Sequence, residues 1–171
     1  MKPIHIDVAC AVIMKVDEED NKQLLVLQRA ADDHWPLHYD LPRGKCDKPI
    51  GEDILHCLKR ETKEETGLDI IVLKYIGQFD YEADEGKRIS TQYNYLCKQK
   101  DPEQKVKLSK EHDSYKWIMS DGEAELLLLP EMKKMVLKVL NQKEKIVGTP
   151  STILQKSVEE FLTNVYKNKD R

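Results

Sequence analysis

The segment that most constrains the fold is residues 44–68, GKCDKPIGEDILHCLKRETKEETGL, in which three glutamates fall within about one helical turn. Glu61, Glu64 and Glu65 have i, i+3 and i+4 spacing, and Gly67 is typical of a residue that ends a helix. Like charges one turn apart repel each other, and the negative end of the helix dipole destabilises each carboxylate further. Charged helix faces are usually only solvated, but an acidic turn of this kind is also expected where a cation binds.

The overall composition describes one domain without a strong electrostatic field. The chain has 171 residues, 40% of them hydrophobic, which is enough for one core and too few to predict two. The net charge of -3 provides no global attraction to long nucleic acid or to an anionic membrane. No run approaches the ~18 apolar residues of a membrane span. We therefore expect a cytoplasmic protein, monomeric or homodimeric, that binds neither membranes nor long nucleic acids.

The four cysteines show no metal-binding or redox spacing. They lie at Cys10, Cys46, Cys57 and Cys97, without a CxxC pair and without zinc-type spacing to histidine. The simplest prediction is four reduced thiols in a cytoplasmic protein.

Hydrophobic periodicity predicts strands in pairs and helices between and after them. Two β-branched runs separated by a polar turn predict a hairpin at the start of the chain, and a second strand pair follows the acidic helix. We expect one folded domain over residues 1–145 and a helical extension over 146–171. The predicted strands are 4–16, 23–29, 39–41, 69–83, 88–98 and 114–118, and the predicted helices are 52–66, 130–142 and one beginning at Thr149. This order argues for an α+β fold, with a mixed sheet between helices.

The acidic helix follows a loop that ends in LPRG, and together they form an ordered pattern. A glycine, a glutamate, an Arg-Glu pair, a Glu-Glu pair and a second glycine follow one another along the loop and helix. This pattern resembles the signature box of the Nudix hydrolases, which implies their α/β/α sandwich. The matching residues are Gly44, Glu52, Arg60, Glu61, Glu64, Glu65 and Gly67, with Leu68 at the closing apolar position.

One departure from the family pattern concerns the loop. The family usually has five residues between the first glycine and the first glutamate, whereas the stretch from Gly44 to Glu52 is two residues longer. A loop absorbs two residues more easily than a helix does, so we expect the acidic turn to be preserved. In this family the backbone carbonyl of the first glycine is a metal ligand, and the Gly44 carbonyl is the group most affected by the longer loop.

The resemblance implies that the acidic turn binds Mg²⁺ or Mn²⁺, cations that prefer oxygen ligands. Glu61 and Glu65 are the expected principal ligands, and Glu64 is a ligand or a general base. Arg60 and Glu52 would form an ion pair that holds the loop to the helix. A further carboxylate usually comes from another loop in this family, and Glu111 is the first candidate, ahead of His112 and Asp113.

Cations and aromatic side chains near the acidic helix are candidates for binding phosphate and base. Bidentate arginine suits phosphate oxygens, so Arg43 and Arg29 are predicted phosphate contacts and Lys45 is a further candidate. Three tyrosines are candidates for stacking on a base, although strand tyrosines more often pack across the sheet. They are Tyr39, Tyr81 and Tyr93.

The implied reaction is hydrolysis of a phosphoanhydride bond in a nucleoside diphosphate linked to another group. The segment 108–140 is similar to the corresponding region of the diadenosine tetraphosphate hydrolases in the Nudix family, which favours a dinucleoside polyphosphate substrate. A nucleoside triphosphate, ADP-ribose and the 5′ end of RNA are alternative substrates. A non-catalytic Nudix-fold module that senses a nucleotide is a different class of alternative, but such modules tend to lose acids that this helix keeps.

Overall fold

The computed structural model describes residues 2–33, 35–47 and 51–142. The secondary structure they form belongs to one compact unit, Met1–Asn141. In chain order the elements are β1 (Ile4–Val16), β2 (Lys22–Arg29), β3 (Tyr39–Asp40), β4 (Arg43–Lys45), α1 (Ile54–Thr66), β5 (Ile70–Ala83), β6 (Arg88–Gln99), β7 (His112–Ile118), α2 (Asp121–Ala124) and α3 (Pro130–Asn141).

The sheet is mixed and is organised around β1. Strand β1 runs parallel to β6 from Ile4 to Ile13 and antiparallel to β2 beyond Met14. It also pairs with β4, with Ala9 opposite Gly44. Strand β5 pairs antiparallel with β6, and β7 pairs antiparallel with β2. The short strand that carries Gly44 is therefore fixed to the central strand of the sheet.

Alternating residues of β1 and β2 are buried on opposite faces of the sheet, because successive side chains of a β-strand point to opposite sides. On one face, Val12 and Val26 pack with Met132 and Val136 of α3. On the other face, Ile13, Leu25 and Leu27 pack with Cys57 and Leu58 of α1. Helices thus cover both faces, which confirms the predicted α+β fold and the α/β/α sandwich.

Helix α1 has well-defined ends. Asp53 caps its N-terminus, where the side chain accepts hydrogen bonds from the N–H groups of Leu55 and His56 at 3.0 Å. Gly67 ends the helix with a φ of 70°, a left-handed conformation that favours glycine. The acidic turn is therefore held on a rigid helix that stops directly after Glu65 and Thr66.

The structure adds two short elements to the predicted ones. Residues 43–45 form β4, where the sequence predicted the end of a loop, and residues 121–124 form α2. The predicted helix from Thr149 onward and the extension 146–171 lie outside the described residues. Within the part of the chain that the structure describes, no helix has the length and apolar character needed to cross a membrane.

The cysteines differ from the prediction of four reduced thiols. A disulfide joins Cys46, directly after β4, to Cys57 in the second turn of α1, with Cα atoms 5.2 Å apart. Cys10 and Cys97 are unpaired and buried. The prediction was wrong for the first pair because sequence spacing does not show that the chain folds residue 46 back onto the helix.

Candidate active site

A cavity of about 440 Å³ lies between β4, the acidic face of α1 and the loop that precedes β7. Its wall combines carboxylates with basic side chains and contains few apolar groups. Eight residues predicted for the site line it: Arg29, Arg43, Gly44, Lys45, Glu61, Glu65, Tyr81 and Glu111. The fold therefore brings together acids and cations that are far apart in the sequence.

Glu65 is the most deeply placed acid of this cavity, with a relative exposure of only 8%. Its Oε2 accepts a hydrogen bond from the Arg43 backbone N–H at 2.9 Å. Burial raises the pKa of Glu65 well above its usual value, and the negative charges of Asp40 and Glu61 raise it further. A carboxylate in these surroundings is stabilised by a cation.

Glu61 lies one turn before Glu65 on the same helix face and is partly buried. Burial raises its pKa, while the hydrogen bond from Arg60 acts in the opposite direction. The backbone of Gly44 lies directly against the Glu61 carboxylate, and any Cβ at position 44 would overlap it. The glycine is therefore needed here for close approach rather than for a turn.

Glu64 points away from the cavity. Its side chain is 58% exposed and does not line the cavity wall, but accepts a hydrogen bond from Arg60 Nη1 at 3.1 Å. The difference from Glu65 follows from helix geometry, because consecutive residues are rotated by about 100° around the axis. The role of Glu64 as a ligand or base stays a prediction.

Arg60 connects the acidic turn to the loop before α1. Its Nε and Nη2 donate to the two oxygens of Glu52 at 2.8 Å each, as the family resemblance implied. The same guanidinium donates to Glu61 at 2.8 Å. Arg60 therefore neutralises part of the charge of the acidic turn and fixes the loop to the helix.

Glu111 reaches the cavity because its loop is tied to the end of α1. The N–H of Ser109 donates to the Glu65 carbonyl at 3.1 Å, and the N–H of Lys107 donates to the Thr66 carbonyl at 2.8 Å. These bonds satisfy carbonyls that a helix terminus leaves unpaired. The Glu111 carbonyl also accepts from the Ala30 N–H at 3.0 Å. The structure thus places the predicted additional carboxylate beside Glu61 and Glu65.

Arg43 is largely occupied by protein partners. Its guanidinium donates to Asp40, to the Tyr81 hydroxyl at 2.7 Å and to Gln92 Oε1 at 3.0 Å. Burial alone would lower the pKa of Arg43, but the adjacent Asp40 charge outweighs this and raises it. The predicted first phosphate contact is therefore mainly a buried structural cation, whose backbone N–H orients Glu65.

Arg29 and Arg88 are better placed to meet an anion. Arg29 lines the cavity and donates to Asp33 and Asp40, while Arg88 lines it and pairs with Asp84 at 3.2 Å. The Nε atoms of both arginines are buried and have no hydrogen-bond partner within the described residues. Both side chains remain about one fifth to one quarter exposed, so their positive charge is available to a bound anion.

Sequence reasoning did not identify Arg88 or Asp40 as site residues. Asp40 is almost fully buried and holds both Arg29 and Arg43. Its only sequence signal was its position directly before the LPRG loop. Arg88 gave no signal, because the register that places the first residue of β6 beside the cavity is a long-range feature of the sheet.

The tyrosines take different positions. Tyr81 lines the cavity, and the Arg43 guanidinium lies 5.3 Å from its ring centroid. Tyr39 is only 8% exposed and belongs to the hydrophobic core, so its predicted contact with a base is not supported. Tyr93 lies on β6, outside the cavity wall, opposite Gln78 of β5. Of the three tyrosines, Tyr81 is the one that the fold brings to this cavity.

The donor set of the cavity fits Mg²⁺ or Mn²⁺, since its acids and the adjacent Gly44 carbonyl provide oxygen ligands. The carboxylates of the cavity are not arranged around a single ion position. Across residues 2–33, 35–47 and 51–142, no three His, Cys, Asp or Glu side chains are gathered closely enough to enclose an ion. Glu61 and Glu64 turn toward Arg60 instead. A cation at this turn would compete with Arg60 for these carboxylates.

The sequence model of the NUDIX domain matches residues 5–138. The chain belongs to the Nudix hydrolase family. This match confirms the predicted family and the predicted hydrolase class. Relatives include the rat bis(5′-nucleosyl)-tetraphosphatase [asymmetrical], which is 34% identical over 126 residues, covering 71% of this chain and 80% of the rat protein. The mouse protein of the same name is 31% identical over 133 residues, covering 73% and 87% of the two chains.

Solved structures of similar fold include Nudix proteins from animals and archaea. A Caenorhabditis elegans Ap4A hydrolase, crystallised as a binary complex, superimposes on this Nudix chain with a TM-score of 0.66 and 26% identity. The alignment covers 78% of this chain and 94% of the nematode chain. A MutT protein from Methanosarcina mazei gives a TM-score of 0.61 at 24% identity, covering 84% and 98% of the two chains, and supports the fold alone.

Proposed function

We propose that this Nudix protein hydrolyses a phosphoanhydride bond of a dinucleoside polyphosphate, with Mg²⁺ or Mn²⁺ held at the acidic turn. The observation that carries the proposal is the buried Glu65 carboxylate beside Glu61, in a cavity that is also lined by arginine side chains. The activity named for the rat and mouse relatives supports the choice of substrate class.

Glu61, Glu65, Glu111 and the Gly44 carbonyl would hold the cation. When bound, a divalent cation supplies Lewis-acid chemistry at the phosphate oxygens and activates water. Helix α1 holds Glu61 and Glu65 on one face, and the Glu61 carboxylate would leave Arg60 to act as a ligand. Arg60 would keep its two bonds to Glu52 and so continue to hold the loop before α1.

The chain's own residues would position the substrate and accept a proton. Arg29 and Arg88 line the cavity and would attract phosphate oxygens through their positive charge. Of the two candidates for general base, the Glu111 carboxylate lines the cavity whereas Glu64 does not, so Glu111 would accept the proton of the attacking water. Charge stabilisation by these groups would be the main catalytic contribution of the protein.

Product analysis on the full chain tests this proposal. Diadenosine tetraphosphate, ATP and ADP-ribose are each incubated with the protein and Mg²⁺, and the products are separated by anion-exchange chromatography. We expect diadenosine tetraphosphate to be cleaved fastest, into a nucleoside triphosphate and a monophosphate, and EDTA to stop the reaction. Preference for ADP-ribose would contradict the substrate, and hydrolysis of all three in EDTA would contradict the role of the cation.

Glu65→Gln is the matching variant, with Glu103→Gln as its control because Glu103 is an exposed acid outside the cavity. The amide keeps the shape of the side chain but removes its negative charge. We expect turnover to fall by at least about 100-fold in Glu65→Gln and to stay unchanged in Glu103→Gln. Circular dichroism should show that both variants are folded. Full activity of Glu65→Gln would remove this residue from the reaction.

A further inference from the structure

The disulfide between Cys46 and Cys57 lies directly next to the acidic turn. Cys57, Glu61 and Glu65 follow one another at intervals of four residues, so they form a single stripe along α1. The Cys57 sulfur lies 3.8 Å from the Gly44 carbonyl oxygen. The bridge is therefore attached to the helix one turn before Glu61, and to the chain two residues after Gly44.

The bridge closes the loop whose length departs from the Nudix pattern. The two cysteines are 11 positions apart, and they enclose the extended segment between Gly44 and Glu52 together with the start of α1. Within this segment the Asp47 N–H donates to Glu52 at 2.9 Å, and Glu52 in turn pairs with Arg60. A covalent link at Cys46 and an ion pair at Glu52 thus tie both sides of this segment to the same helix.

One cysteine of the bridge lines a cavity. Cys46 is 7% exposed and lines a second cavity of about 670 Å³, together with Ile4, Ile6 and His56. Cys57 is fully buried. Thiol–disulfide exchange requires a direct approach of the attacking sulfur, so Cys46 is the better placed of the two for attack.

We propose that Cys46 and Cys57 form a reversible thiol–disulfide site for low-molecular-weight thiols and disulfides, and that the bridge holds the Gly44 segment against Glu61. The second half of this inference rests on the proposed cation site, whereas the first half does not. Reduction would break the covalent link to α1 and leave the Arg60–Glu52 ion pair in place.

Reduction of the bridge is a two-electron thiol–disulfide exchange. A thiolate of an added dithiol attacks Cys46 Sγ, forms a mixed disulfide and releases Cys57 as a thiolate that takes up a proton. The second thiol of the reagent then displaces Cys46, which is released and protonated in turn. The protein gains two electrons and two protons, and the reagent becomes a cyclic disulfide. Oxidised glutathione reverses the change and is itself reduced to two thiols.

Thiol counting tests the first half of this inference. The full chain is treated with dithiothreitol or with oxidised glutathione, exchanged into fresh buffer, labelled with N-ethylmaleimide without denaturant and analysed by intact mass and peptide mapping. We expect one label, at Cys46, after dithiothreitol and none after glutathione, because Cys57 is as fully buried as the internal controls Cys10 and Cys97. Burial also raises the pKa of the Cys97 thiol to about 12. Labelling of Cys46 after glutathione, or resistance of the bridge to dithiothreitol until urea is added, would overturn the site.

Manganese binding tests the second half. Free Mn²⁺ is measured by electron paramagnetic resonance during titration of the reduced and oxidised protein. We expect the reduced form to bind Mn²⁺ about tenfold more weakly, because the bridge supports the ligand segment without being a ligand. Cys57→Ser should bind like the reduced form in either buffer, and if that variant does not fold, the two wild-type states decide alone. Equal affinities of the two states would overturn the coupling. If neither state binds Mn²⁺, the proposed cation site fails as well, while the thiol count remains valid.

Discussion

At the scale of single residues, the cavity is defined by acids that are stabilised by different partners. The Glu65 carboxylate accepts a hydrogen bond from the Arg43 backbone N–H. The Glu61 carboxylate instead shares the Arg60 guanidinium with Glu52. Burial raises the pKa of both Glu61 and Glu65. A cation would therefore remove an unfavourable charge that the folded, metal-free protein retains.

The raised pKa of Glu65 predicts how the stability of the metal-free protein, measured in EDTA, depends on pH. The folded-state pKa of Glu65 lies above its unfolded value of about 4.3. The folded protein therefore binds more protons between these two values, and the free energy of unfolding falls as pH rises through that interval. Melting curves from about pH 5 upward should show this decline in the wild type and in Glu103→Gln, and a flatter profile in Glu65→Gln. Parallel profiles of all three proteins would contradict the role of Glu65.

Gly44 provides a second residue-scale prediction. Because a Cβ at this position would overlap the Glu61 carboxylate, Gly44→Ala should displace Glu61 from the cavity. We expect hydrolysis to slow by about 10- to 100-fold, with Mn²⁺ affinity reduced in parallel. Gly122→Ala is the matched control, since a Cβ there meets no atom within 4 Å. Equal activity of the two variants would show that the close approach is not required.

The residue roles were only partly predictable from sequence. The common face of Glu61 and Glu65 follows directly from helical spacing, which is local information. The role of Arg43 depends on contacts with Tyr81 and Gln92, which are 38 and 49 positions away, and no local pattern records such contacts. The sequence therefore identified Arg43 as a residue of the site but not the protein partners that its guanidinium contacts, and its phosphate contact stays a prediction.

At the scale of elements, α1 depends on attachments at both ends. The loop before it is held by the Arg60–Glu52 pair and by the Cys46–Cys57 bridge, and the loop after its C-terminus is bonded to the Glu65 and Thr66 carbonyls. Strand β4 could not be predicted, because the short segment Arg43–Lys45 is a strand only through its pairing with β1. Helix α1 could be predicted, because its cap, its spacing and Gly67 are all local signals.

Arg60→Ala tests the anchoring of α1, with Lys59→Ala as control. The two residues are adjacent and carry the same charge, but Lys59 is exposed whereas Arg60 makes bidentate contacts with Glu52. We expect Arg60→Ala to lower the melting temperature by about 4 °C, since charge-assisted bidentate bonds are lost. Lys59→Ala should leave the melting temperature unchanged. If both variants melt like the wild type, the ion pair does not anchor the helix.

At the scale of the whole molecule, a sheet with helices on both faces was predictable and its topology was not. The continuous apolar runs in β1 and β2 indicate strands buried on both faces. The parallel pairing of β1 with β6 joins residues about 84 positions apart, such as Ile4 and Arg88, and depends on the complete fold. That pairing brings Arg88 to the cavity.

The described elements predict that residues 1–142 fold without the rest of the chain. All ten lie within Met1–Asn141, and the NUDIX match ends at residue 138. A chain ending at Gln142 should therefore have a melting temperature within about 4 °C of the full chain, corresponding to a stability difference of about 1 kcal/mol. Its Mn²⁺ affinity should be unchanged. Aggregation of the shortened chain, or loss of Mn²⁺ binding, would show that residues 143–171 are required.

Anomalous diffraction from crystals soaked in MnCl₂ tests most directly whether a divalent cation belongs at the acidic turn. We predict a manganese peak in the cavity between β4 and α1, within bonding distance of carboxylate oxygens of Glu61 and Glu65, with Arg60 displaced from Glu61. Crystals of Glu65→Gln should lose that peak. No anomalous density between Gly44 and Glu65, in crystals that bind manganese elsewhere, would contradict the assignment.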